Sequence, residues 1–118
     1  MIGLTMSQVR AAGDEVELAL EGEIDLDSAA VLRQALDDCF EAGHRCLVLD
    51  MGEVTFCDSS GLGALVAALK RARARGGWVR LENVRPQVAK LFEITGLAQA
   101  FTPGPGAAGD PDAATPSA

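Results

Sequence analysis

Apolar residues along this chain change their period from segment to segment, and each period predicts an element. Val16, Leu18 and Leu20 fall on one side of the run from Val16 to Glu21, the period-two mark of a strand with one buried face. The stretch Met6 to Ala11 is expected to pair with it as a hairpin through Gly13-Asp14. Beyond Asp27 or Ser28, either of which suits a helix N-cap, the period lengthens. Leu32, Ala35, Leu36, Cys39 and Phe40 form a helical stripe, which Gly43 ends. Within Arg45 to Met51 the run Cys46-Leu47-Val48-Leu49 does not alternate, as in strands covered on both faces. A second helix is expected from about Ser60 to Ala74, with Leu62, Leu65, Val66 and Leu69 on one side and Gly76-Gly77 as its break. Trp78 to Glu82 alternates again, with Val79 and Leu81 inward. Pro86 suits the first position of a last helix, whose stripe is Val88, Leu91 and Phe92 and whose stop is Gly96.

The resulting order, β-β-α-β-α-β-α, predicts an α/β fold. It implies a mixed, mostly parallel sheet of four to five strands, joined by right-handed crossovers, with helices mainly on one face. The chain of 118 residues suffices for one domain, read as residues 1–101. Thr102 to Ala118 holds four of the five prolines among Gly and Ala, without an apolar period. These residues, 102–118, read as a disordered tail.

Charge and composition narrow the function. Ten Lys and Arg against 17 Asp and Glu leave a net charge of −7, which repels phosphate backbones. There is no Tyr and one Trp to stack on bases, so no nucleic-acid partner is expected. No stretch approaches the roughly 20 apolar residues of a membrane span, and the opening Met1 to Met6 lacks the basic and apolar regions of a leader. Cys39, Cys46 and Cys57 have neither zinc-site nor CxxC spacing. They read as buried, reduced thiols of a cytoplasmic protein, with no metal.

The chemistry-bearing segment is Val54-Thr55-Phe56-Cys57-Asp58-Ser59-Ser60-Gly61-Leu62-Gly63. It leaves the carboxyl end of the central strand and starts the second helix, an edge where α/β sheets commonly bind ligands and partners. Asp58, Ser59 and Ser60 are all suitable N-caps, and a cap alone would account for the triplet. The functional alternative is a hydroxyl displayed at a loop tip, with Gly61 and Gly63 leaving room for another protein's active site. A phosphate there would add about 1.5 to 2 negative charges, and the helix dipole favours them. The binding surface would change while the helix persisted.

This segment, together with Leu47-Val48-Leu49-Asp50-Met51, resembles the STAS domain of anti-sigma-factor antagonists. Gly22-Glu23-Ile24-Asp25 looks like that family's "GELD" turn, and Gly76-Gly77 precedes its late strand. Pro86-Gln87-Val88-Ala89-Lys90-Leu91-Phe92, with Thr95-Gly96-Leu97, is similar to its closing helix. The resemblance covers nearly all of residues 4–101. It implies that Ser59 is the phospho-acceptor of a serine kinase, a histidine-kinase-like ATPase that is itself the anti-sigma factor. The unphosphorylated protein would bind that kinase and release the sigma factor, and a phosphoserine phosphatase would restore it. Asp58, Ser60, Gly61, Leu62 and Gly63 would frame Ser59 in the partner contact, and Asp25 would join them. The same resemblance allows a second reading, a constitutive accessory subunit of a transporter ATPase or stress-sensing complex, in which Ser59 is only a cap.

No enzyme is expected, and no catalytic residue or cofactor. Gly61-Leu62-Gly63 lacks the third glycine of a dinucleotide loop, since that position is Val66, and there is no Walker A lysine. Cys57 and Asp58 occupy the places where a nucleophile elbow needs glycine. His44 reads as a surface turn residue. Lys70, Arg71, Arg73 and Arg75 read as a solvated face at a helix end, and Trp78 as a shield on the less covered side of the sheet. A monomer suits a protein that exchanges partners.

Overall fold

The computed structural model describes residues 3–101, so the expected tail lies outside the described residues. In chain order the elements are β1 (Leu4–Ala12), β2 (Glu15–Ile24), α1 (Leu26–Glu41), β3 (Cys46–Cys57), α2 (Ser59–Ala74), β4 (Trp78–Glu82) and α3 (Pro86–Thr95), then a 3-10 turn at Ala98–Ala100. The four strands lie in the order β1-β2-β3-β4. β1 and β2 form the antiparallel hairpin, and the β2–β3 and β3–β4 pairs are parallel. This is the mixed, mostly parallel sheet that the periods predict.

One face of the sheet carries the core. Val16, Leu47 and Val79 form one row across it, and Leu18, Leu49 and Leu81 the next. These pack in a single cluster with Leu32, Leu36 and Phe40 of α1, Leu62, Leu65 and Leu69 of α2, and Val88 and Phe92 of α3. All three helices therefore cover the same face. Val48 shows how the strand comes to be covered on both faces. It is fully buried, yet it does not belong to that cluster. It lies on the opposite face between Glu17 and Arg80, whose long side chains have aliphatic stems that cover apolar surface. The Arg80 guanidinium also stacks over Trp78 at 5.3 Å. The unbroken apolar run thus needs no second helical layer.

β3 runs six residues past its expected end at Met51, because two bulges let it continue. From the pair Ala19–Asp50 to the pair Glu21–Glu53, β2 advances two residues and β3 three. From Gly22–Val54 to Glu23–Phe56, β2 advances one and β3 two. Asp50 Oδ1 holds the first bulge, accepting from the Gly52 N–H at 3.0 Å and from Asn83 Nδ2 at 3.1 Å. Arg85 Nε donates to the Gly52 carbonyl at 2.8 Å. The strand's extra residue is thereby tied to the loop between β4 and α3.

The far end of the sheet is closed by turns. His44 and Arg45 stand against the hairpin turn: the His44 ring lies 3.2 Å from the Gly13 carbonyl, and Arg45 pairs with Asp14 at 3.0 Å. The basic cluster is not simply a solvated face. Arg71 pairs with Asp37 at 2.7 Å and lies over the Phe40 ring, as does Arg75, while Arg73 donates to the Ala100 carbonyl. These arginines join α2 to α1 and to the C-terminal turn, and Lys70 alone of the four remains exposed without a partner among the described residues.

Candidate functional site

β2 and β3 end side by side, with Ile24 and Cys57 as register partners. One residue later each strand becomes a helix, so two helix N-termini emerge together at one edge of the sheet. Asp25 and Asp58 occupy the two junctions, and the Asp58 N–H donates to the Ile24 carbonyl at 3.1 Å. Chain order separates these aspartates widely; strand pairing brings them together.

Asp25 caps α1, which corrects the expected cap at Asp27 or Ser28. Its backbone is extended, and its Oδ1 accepts from the Ser28 N–H at 3.0 Å. Ser28 stands at the third helical position instead, and its Oγ accepts from the Asp25 N–H at 2.9 Å, completing a capping box. Its hydroxyl donates to the Glu23 carbonyl at 2.8 Å. The Ser28 N–H holds the Asp25 carboxyl below its ordinary value of 3.8, against an opposing push from burial. A carboxylate lowered in this way adds stability above its unfolded value, and that stability is lost as pH falls through the folded value. Asp25→Asn should therefore shrink the drop in melting temperature that wild type shows on acidification below 3.8, in melts recorded across that range.

Asp58 caps α2, its Oδ1 accepting from the Gly61 N–H at 3.0 Å. Of the three candidate caps in Asp58-Ser59-Ser60, the aspartate does the work. Ser59 is the first helical residue and is exposed. Its hydroxyl has no hydrogen-bond partner among the described residues, and neither has that of the half-buried Ser60. Gly63 is exposed with open space where a side chain would stand.

Gly61 and Leu62 are buried and support the site from beneath. A Cβ on Gly61 would stand 2.5 Å from Ile24 Cγ2 and 2.9 Å from both Cys57 Sγ and the Ile24 carbonyl oxygen. The start of α2 can approach the strand ends this closely only because no side chain intervenes. Gly61→Ala is expected to destabilise the fold by about 1–3 kcal/mol through that overlap, measured by urea unfolding.

Cys57 is not an accessory nucleophile. Burial pushes its thiol up to about 11, with the Asp58 carboxylate adding to the shift, so it is protonated at neutral pH. The three cysteines are free and half-buried rather than fully enclosed. Two residues at the junctions were not among the expected site residues: Leu26, 73% exposed, and Phe56, 46% exposed. Leu26 follows the Asp25 cap directly, and Phe56 lies just past the second bulge of β3. Placing Leu26 required knowing that Asp25 is the cap; placing Phe56 required the bulge.

Comparison with known proteins agrees with this architecture. The family model described as "Mlab, STAS domain" matches residues 7–103. The anti-sigma-B factor antagonist of Bacillus subtilis is 37% identical over 89 residues, covering 75% of this chain and 81% of the relative. The solved structure of the anti-sigma factor antagonist SpoIIAA in its unphosphorylated form superposes with a TM-score of 0.73 at 23% identity, covering 81% of this chain and 84% of the other. The phosphorylated form of the Bacillus cell fate determinant SpoIIAA superposes with a TM-score of 0.67 at 23% identity, covering 81% and 87%. The chain belongs to the STAS-domain family of anti-sigma-factor antagonists.

Proposed function

We propose that this protein is a partner switch controlled at Ser59. Unphosphorylated, it binds an anti-sigma-factor serine kinase in the cytoplasm and releases the sigma factor. Phosphorylation of Ser59 by that kinase ends the binding, and a phosphoserine phosphatase reverses the modification. The protein acts as a monomeric substrate and ligand and supplies no catalytic residue. Residues 1–101 form the switching domain, and Asp25, Asp58, Ser59, Ser60 and Gly63 lie at its contact surface.

The observation that carries this reading is the exposed Ser59 hydroxyl, unbonded at the first position of α2 while Asp58 meets the helix's need for a cap. An N1 side chain that caps nothing is open to modification without loss of the helix. The N–H groups of Ser59 and Ser60 also lack partners among the described residues, and free N–H groups at a helix start favour an added phosphate. The accessory-subunit reading would leave Ser59 only as a cap, a role that Asp58 already fills.

The test uses wild type, Ser59→Ala and Ser59→Asp as baits in extract of the source cell. The bound ATPase is identified by mass spectrometry, then purified and supplied with ATP. A small ATPase held by wild type and Ser59→Ala, absent from Ser59→Asp, and phosphorylating wild type only, is the expected result. A transporter ATPase held equally by all three would replace the switch with the accessory subunit.

A further inference from the structure

We propose that Leu26 and Phe56 are the apolar anchors of the partner contact, and that they dock into an apolar pocket with a basic rim on the anti-sigma factor. The proposal rests on the switch reading above and specifies the chemistry of the surface that Ser59 meets.

Single exposed apolar residues are ordinary on protein surfaces, so position decides. Val9, Val31 and Ile94 are exposed on β1, within α1 and near the end of α3. Leu26 and Phe56 instead belong to the two adjacent junctions, one immediately after the Asp25 cap and the other two residues before the Asp58 cap. The Asp58 N–H to Ile24 carbonyl bond holds these junctions together. The two residues therefore flank the paired caps, and the Ser59 hydroxyl emerges from the same edge. Large apolar side chains at the centre of a contact, enclosed by a charged rim, carry most of the energy of such interfaces.

The charge pattern selects the occupant. Elsewhere in the described residues most carboxylates are paired with arginines, Arg10 with Glu15 and Glu17, Arg45 with Asp14, Arg71 with Asp37 and Arg85 with Glu53, while Glu21, Asp38, Asp50 and Glu93 stand without an ion pair at scattered positions. At the junctions Glu23, Asp25, Asp27 and Asp58 have no ion pair among the described residues. A complementary surface is basic at its perimeter, and such matching accelerates encounter more than it tightens the final complex. The basic rim does not conflict with release on phosphorylation. Ser59 must reach the terminal phosphate of the kinase's nucleotide, so a phosphate on Ser59 meets like charge at the centre.

The test measures binding kinetics of the purified kinase that phosphorylates Ser59, on immobilised wild type, Leu26→Ser, Phe56→Ser, Asp27→Asn and Ser59→Asp. Leu26→Ser and Phe56→Ser are each expected to weaken binding on the order of tenfold, chiefly by faster dissociation. Leu26→Ser should melt as wild type, because that side chain is mostly exposed; Phe56→Ser gives up some packing with its covered half, and its unfolding curve separates that loss from the loss of binding. Asp27→Asn should slow association severalfold at low salt, and high salt should erase that difference. If both apolar variants bind as wild type while Ser59→Asp does not, the anchors fall and the switch stands. If Ser59→Asp binds as wild type, the switch falls and the anchors with it. Association indifferent to salt would overturn the basic rim.

Discussion

Ser59→Asp is expected to weaken kinase binding by on the order of 100-fold, while Ser59→Ala stays bound in the presence of ATP. The asymmetry follows from where the side chain stands. At the first position of α2 the hydroxyl is exposed and unbonded, so neither substitution removes an internal contact, and Asp58 continues to cap the helix. An aspartate at this position even suits the helix dipole, so Ser59→Asp should melt at or slightly above the wild-type temperature. The whole effect then falls on the complex, where like charge at close range costs several kcal/mol. About 2.8 kcal/mol corresponds to 100-fold. Titration calorimetry with the purified kinase measures it, and equal affinity of the two variants would end the switch reading. An unfolding curve for Ser59→Asp keeps loss of fold separate from loss of binding.

Gly77→Ala should be among the most damaging single methyl additions in the described residues. A Cβ there would overlap the Arg45 carbonyl oxygen and crowd the Arg45 carbonyl carbon at 2.6 Å. Both are backbone atoms, so no rotamer change relieves the overlap. The same carbonyl accepts from the Trp78 N–H at 3.2 Å, at the start of the β3–β4 pairing. Pushing the strands apart would therefore loosen β4 from its first rung onward. A cost of about 3 kcal/mol is expected, a fall of roughly 12–24 °C in melting temperature for a domain of this size. Gly77→Ala that melts within a few degrees of wild type would show that the turn yields easily.

The elements were legible because their periods are clean. Val16, Leu18 and Leu20, and later Val79 and Leu81, report one buried face directly, and Gly96 stops α3 in the left-handed region, φ 75. What stayed hidden depends on tertiary pairing. Three adjacent residues of Asp58-Ser59-Ser60 can each cap a helix, and only the backbone at the strand end selects Asp58. Asp25 was legible as a family position, but its work as the α1 cap was not, because Ser28 looks equally suited until its N–H is seen bonded to Asp25. Val48 suggested a second covered face; long side chains on Glu17 and Arg80 do that work without a helix. The proposed anchors were invisible for the same reason, since Leu26 and Phe56 are read from exposure and not from any period.

The two bulges of β3 decide where this strand can lose a residue. Met51 and Val54 both face the core with two residues between them, and so do Val54 and Cys57. Plain alternation would need only one residue in each gap, so each bulge holds one residue that the pairing with β2 does not use. Loss of Gly52 alone would erase the first bulge and leave Val54 and Cys57 facing inward, at the cost of the hydrogen bonds that tie Gly52 to Asp50 and Arg85. Loss of a residue before Asp50 has no such slack of its own and must be absorbed by a bulge further along. Chains that keep a working serine here can therefore differ by a residue between Met51 and Cys57 while the same apolar positions still face the core.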